Sequence, residues 1–441
     1  MTDPATAGGR GPTSHGAVRV ARLGGMTAQI VGRSAWGRVQ VWRGADQVRV
    51  REAASRANAE TMRSTLGSLK GGVQKAGQLL STLDSLLPAG DWREAVDSLQ
   101  EAGEPVAFEA LEPVLVAGLG KGWRSRFAGD FNQTPVASAS LGQVYRATWA
   151  DGRDVAVKVQ YPGVAAAVRA DLTGLTWALR LAALVSPGMA AAPVAQELRM
   201  RVQGELDYVA EAEAQRRFAA AFDGDPDIAV PAVVAAAPTV LVTQWLSGTP
   251  LATFAATGSQ PERDAVGARF QRFALSAPAR VGLLHADPHP GNFRVLDDGR
   301  LGVLDFGAVV PMPGGLPPTF GHLISAMRSD DPAEVARRLE LAGLVRPGAD
   351  LDVAALMDFL GPFSDPARHE VFSFSPEWLQ GQFAREHDPR NPDYAVALKL
   401  TIPPDQLMTH RVWLGIVGVL SRLRATVPVL PELRRWMSGI D

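Results

Sequence analysis

The sequence predicts an α+β fold of two lobes, a small β-rich lobe followed by a larger helical one, with a helical extension ahead of both. Three observations carry this reading. Apolar residues recur at helical spacing from Ala59 to Leu87. The period then drops to strand alternation between Val136 and Tyr161, folded back at Asp151-Gly152. Beyond residue 260 helical spacing returns, broken by a short strand pair at Phe293–Leu296 and Leu301–Leu304 around Asp298-Gly299.

Each element follows in order. Residues 1–18 are rich in Gly, Pro, Ser and Thr, lack an apolar core and read as a disordered leader. In the first long helix Met62, Leu66, Leu69, Val73, Leu79 and Leu83 fall near one face, and Pro88 ends it. Short helices continue from Asp91 to Leu119. Strands are expected at Val136–Ala139, Val144–Trp149 and Val155–Tyr161, then Ala-rich helices over 163–185 and 193–222. Two further strands surround Val230–Ala235 and Val240–Trp245. The expected division is a helical extension over 19–125, a β-rich lobe with inserted helices over 126–248 and a helical lobe over 249–441.

Composition narrows the function classes. The chain has 441 residues, with 46% apolar and 20% charged side chains, close to globular averages, which excludes wholesale disorder and fibrous architecture. Lys+Arg number 44 against Asp+Glu 46, so no whole-protein field attracts nucleic acid. Cysteine is absent, which removes disulfides, thiol catalysis and Cys-based metal sites. The uncharged stretch from Ile228 to Pro261 is interrupted by Pro231, Pro238, Gly248, Pro250 and Gly258, and Val412–Leu420 spans about half a membrane thickness. No signal peptide or spanning segment is expected, and the location read from this is cytoplasmic. Trp92, Trp123, Trp177, Trp378 and Trp413 read as packing residues.

Only five lysines occur, Lys70, Lys75, Lys121, Lys158 and Lys399, among 44 basic residues. Such sparing use draws notice to positions where a compact ammonium is needed. Lys158 closes the alternation Val155-Ala156-Val157-Lys158 on the third strand. In a kinase-type site a lysine there pairs phosphate oxygens and is held by a Glu from a neighbouring helix. A solvent-facing strand lysine is the plain alternative.

The second constellation is His285-Ala286-Asp287-Pro288-His289-Pro290-Gly291-Asn292, followed by Asp305-Phe306-Gly307. Asp287 and Asn292 have the spacing of a kinase catalytic loop, an acid two residues after His and an Asn five beyond it. Asp287 can orient a nucleophile or accept its proton, while Asn292 and Asp305 offer hard oxygen ligands to Mg²⁺. His285, Asp287 and His289 also have the make-up of a zinc site, but zinc leaves Asp305-Phe306-Gly307 unexplained. The loop that should cover phosphates reads Ala137-Ser138-Ala139-Ser140-Leu141-Gly142, with one glycine where ordinary kinases have three. Cβ atoms at Ala137 and Ala139 restrict its backbone, so it is expected to be stiffer than a Gly-rich loop, while its N–H groups can still cradle phosphate.

Taken together, these motifs make the chain resemble the UbiB/AarF family of atypical protein-kinase-like ATPases over roughly residues 55–425. Lys75-Ala76-Gly77-Gln78 matches that family's K-x-G-Q helix and Glu205-Leu206-Asp207 its E-x-D element. The resemblance implies a protein-kinase-like fold whose N-terminal extension lies over the nucleotide cleft. Lys75, Gly77 and Gln78 would form that lid, with Glu205 and Asp207 helping to hold it. Glu211 is expected to be the ion-pair partner of Lys158, with Glu205 as fallback. Ala137, Ser138, Ala139, Ser140, Gly142, Lys158, Gln244 and Leu246 would contact the nucleotide, ATP or ADP, and Asn292 and Asp305 the Mg²⁺.

Two departures stand out: Ser138 where the family usually has Ala, and Gln244 where it usually has Glu. Pro311, Pro313, Gly314 and Gly315 follow the Asp-Phe-Gly segment, which argues against a regular peptide-docking segment. The implied activity is Mg²⁺-dependent ATP hydrolysis supporting isoprenoid quinone or related lipid metabolism. Implied partners are an isoprenoid lipid, a membrane surface that the protein touches peripherally, and lipid-biosynthesis enzymes. The alternative is a nucleotide-gated lipid- or protein-binding module, and conventional protein kinase activity ranks last.

Overall fold

The computed structural model describes residues 106–139, 141–166, 206–329, 331–346, 348–350, 352–387, 399–401 and 407–440, with isolated positions elsewhere. The leader, the helix expected at Ala59–Leu87 with Lys75, Gly77 and Gln78, Ser140, Glu205 and most of the 163–185 helix lie outside the described residues. The chain divides into two compact units, Met1–Arg146 with Lys158–Leu206, and Ala147–Val157 with Asp207–Asp441.

In the first unit, α1 (Phe108–Leu119) buries Phe108, Leu111, Leu115 and Leu119 at helical spacing and stops at Gly120, whose φ of 89° suits only glycine. Phe108 enters an aromatic cluster with Trp123, Phe127, Phe131 and Tyr145, ring centroids 5.0 to 6.2 Å apart. Burial, helped by nearby Tyr161, pushes the Tyr145 phenol up to about 12, and its hydroxyl donates to Gln143 Oε1 at 2.7 Å. β1 (Ala137–Ala139) pairs antiparallel with the start of β2 (Gly142–Thr148), Ala139 facing Gly142. The end of β3 (Asp154–Gln160) passes so close that a Cβ at Gly142 would run into the Val159 carbonyl. Glycine at 142 therefore answers to a close backbone approach.

In the second unit, Gly152 (φ 89°) turns the chain between β2 and β3, with the Trp149 N–H donating to Arg153 O. The helix expected over 193–222 is not continuous. Asp207 stands outside it with φ −105° and ψ 83°, and α2 (Tyr208–Ala221) begins after it. Asp207 caps that helix, its Oδ1 accepting the N–H groups of Val209 and Ala210. The strand expected at Val230–Ala235 is also split into β4 (Ile228–Ala229) and β5 (Val233–Ala237), because Pro231 has no N–H for a ladder. β5 forms a hairpin with β6 (Val240–Gln244), bulged between Val233 and Ala235.

Then come β7 (Thr249–Pro250), α3 (Leu251–Thr257) and α4 (Gln260–Val281). β8 (Leu283–His285), β9 (Phe293–Val295), β10 (Leu301–Val303) and β11 (Val309–Pro311) follow α4. Next are α5 (Pro318–Ser329), α6 (Pro332–Leu341), α7 (Val353–Arg368), β12 (Phe372–Ser373) and α8 (Pro376–His387). The last elements are α9 (Leu407–Leu423), β13 (Thr426–Val427) and α10 (Val429–Trp436). Four short strands form one sheet in the order β4-β10-β9-β7, while β8 pairs with β11 in a sheet of two. The main core joins Phe218 of α2, Phe270 and Phe273 of α4, Phe293, Phe306 and Leu420 of α9. A smaller core joins α5, α6 and α7 through Met327, Val335, Leu339 and Leu356. Among the described residues no helix is long and apolar enough to cross a membrane.

Candidate active site

Within the second unit the chain is steered to the catalytic-loop sequence by α4. A capping box of Ser259 and Glu262 starts that helix, and Gly282, in the left-handed region at φ 70°, ends it. Three residues later His285 sits on β8, with Val309 of β11 opposite and the Ala286 N–H donating to Ala308 O at 2.9 Å. The β8–β11 pair thus ties the strand that enters the loop to the strand that follows Asp305-Phe306-Gly307.

His285 is buried, and its Nε2 meets the Asp305 carbonyl oxygen at 2.7 Å, so the ring donates there. Rings of Phe218, Phe273, Phe293 and Phe306 surround it at 5.6 to 6.4 Å. Burial holds its pKa below the ordinary 6.5, against the pull of the Asp305 carbonyl and the charges of Asp287 and Asp305. A neutral imidazole donating to a backbone carbonyl is an anchor for the loop. That use of Nε2 argues against the zinc reading.

Asp287 and Asn292 meet directly. Asn292 Nδ2 donates to Asp287 Oδ2 at 2.7 Å and to Asp287 O at 3.2 Å. Asp305 is brought alongside by the β9–β10 ladder, in which Val303 faces Phe293 and the Leu304 N–H donates to Asn292 O at 2.9 Å. Its own carboxylate is oriented by the Gly307 N–H, which donates to Oδ1 at 2.9 Å. The three oxygen-bearing residues expected from spacing are therefore neighbours, held by backbone bonds rather than by one another alone.

Phe306 points the other way, into the core, its ring 4.8 Å from Phe218. Phe218 lies seven residues, two helical turns, beyond buried Glu211 on α2. One face of α2 therefore carries both the expected lysine partner and the contact that seats Phe306. At the end of β6, Gln244 is exposed, its N–H donating to Ala232 O, while a Cβ at Gly302 of β10 would lie 3.2 Å from Leu246 Cδ1. Leu246 thus packs against the strand that leads to Asp305.

In the first unit, Lys158 is half-buried on β3 between buried Val157 and Val159. Ala137 and Ser138 are exposed on β1, and Ser138 hydrogen-bonds the Tyr161 phenol, whose pKa burial raises. Sequence reasoning missed one contributor. Gly415 of α9 lies against Pro288, so close that a Cβ at 415 would occupy the space of the proline ring. Its only sequence signal is a glycine inside an apolar helix, which also fits many unrelated packing roles.

Comparison with known proteins covers much of the chain. Residues 98–338 match the ABC1 atypical kinase-like domain. The mitochondrial atypical kinase COQ8 of Schizosaccharomyces pombe is 31% identical over 259 residues, 57% of this chain and 42% of that protein. The mitochondrial atypical kinase COQ8B of Danio rerio is 26% identical over 380 residues, 84% of this chain and 59% of that protein. The chain therefore spans about half the length of these curated relatives. Among solved structures, Rv3197 from Mycobacterium tuberculosis, determined as its erythromycin complex, is 37% identical. It aligns with a TM-score of 0.68 over 89% of this chain and 99% of that one.

Proposed function

The chain belongs to the ABC1 atypical kinase-like (UbiB) family, and from that membership we propose that it binds Mg²⁺–ATP and hydrolyses it. The observation that carries this reading is the convergence of Asp287, Asn292 and Asp305 on one loop and one ladder. The donor set suits a hard divalent cation: Asn292 Nδ2 is engaged by Asp287, which leaves Asn292 Oδ1 as the ligand beside the Asp305 carboxylate. Mg²⁺, when bound, neutralises charge on the phosphates.

Asp287, oriented by Asn292, positions a water or accepts its proton. The family resemblance assigns the α- and β-phosphate oxygens to Lys158, with Glu211 as its expected partner, the phosphates to the backbone of Ala137 to Gly142, and the base to Gln244 and Leu246. His285, kept neutral by burial, fixes the backbone of Asp305. By the family resemblance, Lys75, Gly77 and Gln78 would form a lid supported by Glu205 and Asp207, and such a lid would admit water but not a peptide, which favours hydrolysis over protein phosphorylation. The family resemblance supports a role in isoprenoid quinone or related lipid metabolism at a membrane surface, with lipid-biosynthesis enzymes as partners.

A second reading is a nucleotide-gated binding module with incidental turnover. The erythromycin complex of the 37% identical Rv3197 favours it. Lipid-stimulated ATP turnover, compared with Asp305→Asn, separates the two, because equal activity in both proteins eliminates the enzyme reading. Robust phosphorylation of a peptide panel by the unmodified protein would instead restore conventional kinase activity.

A further inference from the structure

Past Gln244, the last residue of β6, the chain runs through Trp245, Leu246, Ser247 and Gly248 before Thr249 and Pro250 pair with β9. Three contacts fix the course of this short segment. Gly248 lies so close to β9 that a Cβ there would run into the Val295 carbonyl. Leu246 packs on Gly302 of β10. Arg294 of β9 reaches the segment at two points. Its Nη1 donates to Gly248 O at 2.8 Å, and its guanidinium carbon lies 5.7 Å from the centre of the Trp245 ring.

Arg294 offers more than packing requires. It is half-buried between buried Phe293 and Val295, with Pro250 opposite it. A β-branched or aromatic residue fills such a strand position well. A long side chain held at both a carbonyl and a ring instead gives up much of its rotamer freedom. What it secures is the backbone on both sides of Leu246, since Trp245 precedes that residue and Gly248 follows it. The planar guanidinium serves both contacts at once, which a compact ammonium does not. Arg294 also stands two residues beyond Asn292, and its partner on β10 is Gly302, three residues before Asp305. The ladder that carries the expected metal ligands therefore also carries the anchor of the segment around Leu246.

We propose that Arg294 is a positioning residue for the nucleotide base: by holding Trp245 and Gly248 it fixes the backbone around Leu246 relative to Asn292 and Asp305. The proposal rests on the nucleotide-binding reading of that cluster and on the assignment of Gln244 and Leu246 to the base. Arg294 acts through the segment and does not itself touch the reacting atoms. The base is common to ATP and ADP and does not change in the reaction. Order in the segment that meets it thus contributes equally to ground state and transition state, so its loss raises KM and leaves kcat.

The test uses the whole chain with Mg²⁺. It measures Kd by calorimetry for ADP and for the non-hydrolysed triphosphate AMP-PNP, steady-state ATP turnover, and the thermal unfolding midpoint. Arg294→Ala is expected to weaken both nucleotides alike, by about tenfold, and to raise KM by a similar factor with kcat within about twofold, as fits one lost charge-assisted hydrogen bond. Arg294→Lys keeps one contact but not both and is expected to weaken binding by about threefold. Trp245→Leu combined with Arg294→Ala is expected to weaken binding by less than the product of the two single effects, because both remove the same clamp. If Arg294→Ala does not fold, Arg294→Lys and Trp245→Leu carry the same comparison. With the wild type binding both nucleotides, unchanged Kd and KM, a loss confined to AMP-PNP, or a fall in kcat at unchanged KM each overturns the role of Arg294 alone. A wild type that binds neither nucleotide overturns the proposed function and this role with it.

Discussion

Asn292 Nδ2 donates to Asp287 Oδ2 at 2.7 Å, and the same amide reaches the Asp287 carbonyl at 3.2 Å. Two residues five apart in the chain thus share one geometry, so neither acts independently. Asn292→Asp replaces the donor with a second carboxylate facing the first. Like charges at that distance repel, and Asp287 loses its fixed orientation. ATP turnover at saturating Mg²⁺ is expected to fall about 10²-fold, with the thermal unfolding midpoint little changed. Turnover above half the wild-type rate would show that Asp287 needs no such partner.

Phe306 separates a structural from a catalytic effect within one tripeptide. It is fully buried against Phe218 and His285, whereas Asp305 beside it is only part-buried. Phe306→Ala is expected to destabilise the fold by about 3–5 kcal/mol, the usual effect of emptying a buried phenylalanine site. Asp305→Asn is expected to leave stability nearly unchanged and abolish turnover. Chemical denaturation of the two variants checks this, and a Phe306→Ala protein as stable as wild type removes the aromatic seat from the argument.

Much of this site was legible because its chemistry is local. The spacing from His285 to Asn292 and the Asp298-Gly299 turn before Asp305 needed no knowledge of tertiary contacts, and both recur in the structure. The Asp151-Gly152 turn was readable for the same reason. What failed depended on partners distant in sequence. The β8–β11 and β12–β13 pairs have three or two residues per strand, too short for any periodicity to register. Asp207 was read inside a continuous helix because its neighbours are good helix formers, yet its carboxylate caps a new helix at Tyr208. The sequence marks Gly142 only as the one glycine of the phosphate-covering loop, whereas the crowding by Val159 that requires it arises only once β3 is in place.

Gly415 carries that lesson into a test. Its Cα approaches Pro288 from α9, more than 120 residues away in sequence, so the catalytic loop leans on a late helix. Gly415→Ala forces the Pro288 ring aside and is expected to destabilise by about 1–3 kcal/mol, the usual range for overpacking. Because Pro288 adjoins Asp287, turnover should fall by more than the loss of folded protein explains. Gly418→Ala, three residues along the same helix with open space at its Cβ, serves as control. Equal turnover per folded molecule in both variants would confine Gly415 to packing.

Two histidines set an acid limit on stability. Burial lowers the pKa of His285 and of His410 below the ordinary 6.5. The unfolded chain therefore takes up protons near pH 6.5 that the folded chain refuses, and protonation favours unfolding. Stability contributed by the neutral rings is fully present above pH 6.5 and is lost as pH falls from there toward the folded-state values. Each histidine can contribute a slope of at most about 1.4 kcal/mol per pH unit. The Asp225 carboxylate does not blur this window. Asp225, held below 3.8 by Arg280 and two backbone N–H donors despite its burial, loses its contribution only in more acid solution. The unfolding midpoint in urea is expected to fall steadily between pH 7 and pH 5. His410→Phe, which removes one of the two groups, should flatten that decline, and an unchanged slope would mean that His410 titrates alike in the folded and unfolded chain.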